Sequence, residues 1–99
     1  MKIEIVVYNI ESALRAQEGG ADRIELCDNP GEGGTTPSFG TIEAVRQNVN
    51  MDLFVMIRPR GGDFFYSNYE FNSLHRFLSI LPSSVNIPKT TPSTLIFWH

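Results

Sequence analysis

The sequence predicts an α/β fold: an open, parallel β-α-β-α-β sheet followed by a divergent C-terminal tail. Three observations carry this. Short β-branched runs alternate with amphipathic stretches, and the connections between them suit right-handed crossovers between parallel strands. The last strand, Leu53 to Arg58, breaks abruptly into Pro59-Arg60-Gly61-Gly62-Asp63-Phe64. In parallel α/β sheets, binding sites sit on the loops that leave the carboxyl ends of strands.

Taken in order, Ile3 to Tyr8 is the first strand, and Asn9 is placed to cap a helix from Ile10 to Glu18. Ile10, Ala13, Leu14 and Ala16 form its apolar stripe, and Gly19-Gly20 stops it. A second strand spans Arg23 to Cys27. After the loop Asp28 to Thr36, Thr36 is expected to cap a second helix with Pro37 in its first turn, and Ile42, Val45 and Val49 form the buried stripe. Leu74, Phe77, Leu78 and Leu81 give helical spacing to a third helix from about Tyr69 to Leu81. Residues 1–81 therefore read as the folded part. Residues 82–99 read as a tail rich in Ser, Thr and Pro, with Ser83 to Thr94 a loop or linker and Leu95 to His99 either a fourth strand or an exposed terminus.

Alternation along the strands separates two faces. Ile3, Ile5, Val7, Ile24, Leu26, Leu53, Val55 and Ile57 are all aliphatic and should carry the helices. The opposite face holds Glu4, Val6, Tyr8, Arg23, Glu25, Cys27, Phe54, Met56 and Arg58. Charges on three adjacent strands facing one interior suggest a barrel lumen, in which Glu4 and Glu25 could pair with Arg58. A ligand site and a structural salt-bridge layer both account for them, since buried ion pairs alone are weak grounds for stability.

Two loops offer binding chemistry. Arg58 and Arg60 can fork onto an anion while Gly61-Gly62 lets the backbone approach it, although a surface turn with paired charges has the same composition. In Pro30-Gly31-Glu32-Gly33-Gly34-Thr35-Thr36-Pro37-Ser38, the hydroxyls of Thr35, Thr36 and Ser38 gather at a helix start, where an anion is favoured. The loop lacks the Walker lysine and the dinucleotide spacing, Glu32 would repel a phosphate, and a capped helix explains the same residues.

Composition narrows the classes. A chain of 99 residues holds one modest domain, and its net charge of −3 with no basic block argues against nucleic acid. No apolar run reaches membrane-spanning length, and the N-terminus lacks the marks of a signal peptide, so the expectation is a cytoplasmic protein without membrane contact. The single cysteine, Cys27, excludes an intrachain disulfide and leaves no zinc-type cluster.

Ala21-Asp22-Arg23-Ile24-Glu25-Leu26-Cys27, Glu32-Gly33-Gly34-Thr35-Thr36-Pro37-Ser38 and Ile57 through Phe64, followed by Tyr66-Ser67, resemble the CutC copper homeostasis family in order and spacing over about residues 1–71. The resemblance implies a partial TIM-type barrel whose first three strands are present, and a cytoplasmic role in copper tolerance or copper(I) binding. It also implies that Val6 stands where some copper-binding members carry a cysteine that pairs with the one matching Cys27. Met56, a soft thioether facing the same way, could serve Cys27 as a companion ligand. Cys27 also reads simply as a small buried hydrophobe.

Three functions follow. The first is copper homeostasis with Cys27, and weakly Met56, as metal ligands and with Arg58 and Arg60 as binding residues. The second is an enzyme-like barrel for a small anionic ligand, with Glu4 or Glu25 as acid or base and the arginines as clamp. The third is a nonfunctional truncated product, in which a frame shift after about Phe71 replaced the family sequence, since the codons of Phe97-Trp98-His99 read one base later can spell Phe-Gly-Ile. Exposed sheet edges would favour homo-oligomers.

Overall fold

The computed structural model describes residues 2–63 and 65–87. Four strands, β1 (Glu4–Val7), β2 (Arg23–Leu26), β3 (Asp52–Val55) and β4 (Val85–Asn86), alternate with three helices, α1 (Ile10–Glu18), α2 (Phe39–Asn48) and α3 (Asn68–Ile80). The sheet order is β1-β2-β3-β4 and every pairing is parallel. The expected β-α-β-α-β unit is therefore present, and a third crossover extends it by one strand.

The local signals act as chemistry requires. The Asn9 side chain accepts the amide of Ser12 at 2.8 Å and starts α1, and Gly20, at φ 88, turns the chain out of it. The cap of α2 is Ser38, not Thr36, because Ser38 Oγ accepts the Thr41 amide at 3.2 Å while the Thr36 hydroxyl is taken by another strand's end. α3 opens with a capping box in which Ser67 and Glu70 satisfy each other's amides.

The alternation of faces holds. Val7, Ile24, Leu26, Leu53, Val55 and Ile57 form one core with Ala13 and Ala16 of α1 and with Ile42 and Val45 of α2, and Leu74, Phe77 and Leu78 of α3 pack against it. Cys27 and Met56 are equally buried yet lie outside that cluster, on the other face. Ile3 and Ile5 depart from the expectation: they are partly exposed, because β1 is an edge strand whose far side no described element covers.

Val85–Asn86 lies in the stretch expected to be a loop or linker. It adds a short strand through the pairs Leu53–Val85 and Phe54–Asn86, and the Asn86 side-chain Nδ2 donates to the Leu53 carbonyl at 3.3 Å. Leu95 to His99, the other expected fourth strand, lies outside the described residues. Among the described residues no helix is long and apolar enough to cross a membrane.

Candidate functional site

The ends of β2 and β3 converge on Arg58. Its side chain is buried, and its guanidinium donates to three backbone carbonyls: Nη1 to Glu32 in a short contact and to Gly34 at 3.2 Å, and Nη2 to Gly62 at 3.1 Å. One arginine thus ties the loop after β2 to the loop after β3. The first of these loops is shaped for it. A 3₁₀ turn at Pro30–Glu32 ends in Gly33 at φ 80 and Gly34 at φ 104, and Asp28 and Thr35 close the loop through mutual amide bonds of 2.9 and 2.8 Å. Such φ values favour glycine.

The expected lumen pairing of Glu4 with Arg58 is corrected. Glu4 instead meets Arg23 on the neighbouring strand at 2.6 Å, and the Arg23 guanidinium lies over the Phe54 ring at 4.8 Å. Glu25 is nearly as buried as Arg58, and the cation that acts on its carboxyl is again Arg23. Arg23 stands directly opposite Glu4 in the β1–β2 register and two residues before Glu25 on the same strand.

The expected binding hydroxyls divide among different tasks. Thr36 joins Arg58 through its backbone amide and its hydroxyl, Thr35 is buried within the loop bridge, and Ser38 caps α2. Arg60 lies farther out. It forms a short ion pair with Glu70 and a longer one of 3.3 Å with Asp63, donates to the carbonyls of Asp63 and Phe65 at 2.9 and 3.0 Å, and stands over the Tyr66 ring at 5.0 Å. Glu70 serves both Arg60 and the α3 cap, which holds its carboxyl below the usual range. Glu70 lies outside both glycine-rich loop motifs, and its one signal in the sequence is the capping-box spacing of Ser67-Asn68-Tyr69-Glu70.

On the open face Cys27 neighbours Glu25, and just past the ends of β2 and β3 Cys27 and Met56 both approach Gly34. The Cys27 thiol donates to Glu25 Oε1 at 3.6 Å. A Cβ placed on Gly34 would lie 3.1 Å from Met56 Cε and 3.7 Å from Cys27 Sγ, so both sulfur side chains crowd one point that only glycine leaves open. Burial, helped by Glu25, pushes the Cys27 thiol up to about 12, and burial likewise raises the Glu25 carboxyl above 4.5. Among the described residues no three His, Cys, Asp or Glu side chains gather as a metal cluster. This donor set of one thioether and one protonated thiol fits a soft ion poorly as a resident metal.

The sequence model of the CutC family matches residues 1–84, past Phe71 and through α3. The chain is 59% identical over 68 residues to the human protein named copper homeostasis protein cutC homolog, and 54% identical over 72 residues to a family protein CutC of Chromobacterium violaceum. These alignments cover 69% and 73% of this chain but 25% and 29% of the relatives, so the chain spans little more than a quarter of their length. The crystal structure of a CutC protein from Streptococcus agalactiae superposes with a TM-score of 0.68 at 36% identity, covering 77% of this chain and 38% of that one.

Proposed function

We propose, from the premise that this chain belongs to the CutC family, that it serves copper homeostasis and meets Cu(I) as cargo on the sheet face carrying Cys27 and Met56. The observation that supports this reading is the convergence of the two sulfur side chains on the missing Cβ of Gly34. Thiolate and thioether are the protein donors that suit Cu(I). Two donors are an incomplete set, and the Cys27 proton is tightly held, so the contact in this chain is weak. Competition with a chromophoric Cu(I) chelator tests it. The unmodified chain should take up a small share of the metal and Cys27→Ser none; equal uptake by both would remove Cys27 from the site.

The burial of Glu25 favours a second reading. A carboxyl raised above 4.5 beside the strand ends is suited to proton transfer. On that reading a small anionic ligand sits between Glu25 or Glu4 and the arginines Arg58 and Arg60. Calorimetric titration with small phosphorylated or carboxylated compounds would show heat that Glu25→Gln changes, and an absence of heat with every compound would defeat it.

A further inference from the structure

Where the loops after β2 and β3 meet, the arginines are committed within the chain. Arg58 donates to the carbonyls of Glu32, Gly34 and Gly62, and Arg60 divides its protons among the Glu70 and Asp63 carboxylates and the carbonyls of Gly61, Asp63 and Phe65. The Glu32 carboxylate stands differently. Among the described residues no hydrogen bond or ion pair claims it. Its place is nonetheless defined: a Cβ on Gly61 would lie 2.5 Å from Glu32 Oε2 and 2.7 Å from the carboxyl carbon, so the group rests against the loop after β3. The backbone beneath it is pinned, since the Glu32 amide donates to the Asn29 carbonyl at 3.0 Å and the Glu32 carbonyl accepts from Arg58.

On these loops and the first turn of α3, the carboxylates of Glu32, Asp63 and Glu70 outnumber the guanidiniums of Arg58 and Arg60, and Asp63 and Glu70 are both paired with Arg60. The carbonyls that hold Arg58 are neutral and leave its positive charge in place. A ligand bringing negative charge alone meets the Glu32 carboxylate as a repulsion, whereas one that also brings a cation turns the same group into a partner. An ammonium has three donors and no acceptor, and an ionised carboxylate only accepts. We infer that Glu32 determines specificity here and that the ligand is a zwitterion: a phosphate or carboxylate turned to the arginines, with an ammonium a few bonds away turned to Glu32. This inference rests on the reading of a small anionic ligand at Arg58 and Arg60, and names that ligand's chemical class.

Calorimetric titration with ethyl phosphate and with 2-aminoethyl phosphate, which differ by one ammonium group, tests it on the unmodified chain and on Glu32→Gln. The variant keeps the side-chain shape and the backbone carbonyl that Arg58 holds. The unmodified chain should bind the aminoethyl compound about two- to fivefold more tightly, the range of a solvent-exposed ion pair. Glu32→Gln should weaken the aminoethyl compound and tighten ethyl phosphate, bringing the two together. A merely structural Glu32 would move both affinities in the same direction. That result, or equal affinity of the unmodified chain for the two compounds, would overturn the inference and leave the anionic reading standing. No heat with either compound would also overturn it, and the anionic reading itself falls only when every phosphorylated and carboxylated compound is silent.

Discussion

Thr36 and Arg58 hold each other by reciprocal bonds: the Thr36 amide donates to the Arg58 carbonyl at 2.7 Å, and the Arg58 amide donates to the Thr36 hydroxyl at 2.7 Å. This pair joins the loop after β2 to the end of β3 next to the Arg58 guanidinium. Thr36→Val keeps the shape but removes the acceptor, leaving a backbone N–H short of a partner. Chemical denaturation should show a loss of about 1–3 kcal/mol, and Thr36→Ser should recover most of it.

Arg58 itself spans three carbonyls, those of Glu32, Gly34 and Gly62, that a neutral side chain cannot satisfy. Arg58→Met should cost about 3 kcal/mol, since bonds from a charged donor are worth more than neutral ones and the freed carbonyls stay near the interior. Arg58→Lys should recover only part of this, because an ammonium is a point donor without the planar fork. Equal stability of the two variants would contradict the staple.

Two glycines on these loops should respond differently to alanine. At Gly34 the backbone is at φ 104 and the new Cβ meets the buried Met56 and Cys27, so Gly34→Ala combines backbone strain with crowding and should cost about 2 kcal/mol or more. At Gly61 the clash, nominally 2.5 Å, is with the Glu32 carboxylate, which can swing into solvent. Gly61→Ala should therefore stay within about 1 kcal/mol of the parent. Thermal melts of the two proteins decide it.

Glu25 gives stability a pH dependence of known sign. Its carboxyl is raised above 4.5 chiefly by burial, so the folded chain holds that proton more tightly than the unfolded chain. The contribution is complete below pH 4.5 and is lost as pH rises through the shifted value. Glu25→Gln mimics the protonated form and can still accept the Cys27 thiol. It should raise the melting temperature at neutral pH and leave it unchanged at pH 4. Cys27 repeats the logic at the alkaline end: stability should fall from about pH 9 towards 12, by at most ~1.4 kcal/mol per pH unit, and Cys27→Ser should abolish that slope.

The strands, the helix stripes and the division of the sheet into two faces were legible because period 2 and period 3.6 are written directly into Ile24-Leu26, Leu53-Val55 and Ile42-Val45-Val49. Pairings were not. Glu4 finds Arg23 and not Arg58 because register decides which charges become neighbours, and alternation gives the face without the register. Thr36 lost its expected cap to Ser38 for a related reason: both residue types cap helices, and only the tertiary bond to Arg58 tells them apart. β4 was invisible because a two-residue strand has no period to read.

On the proposed copper reading, Val6 is the position where a second sulfur ligand would be introduced. It is paired in register with Glu25, one alternation step before Cys27 on the same face. With strands about 4.8 Å apart and a two-residue advance of about 6.6 Å, their Cα atoms lie roughly 8 Å apart, within reach of two thiolates sharing one ion. Val6 is half exposed, so a cysteine there escapes the burial that holds the Cys27 proton and ionises near the ordinary thiol value. Val6→Cys should strengthen competition for Cu(I) by about tenfold or more, the equivalent of about 1.4 kcal/mol. The gain should vanish in Val6→Cys combined with Cys27→Ser. If the double variant binds as tightly as the single one, the new cysteine acts alone and Cys27 is a core residue with no part in metal binding.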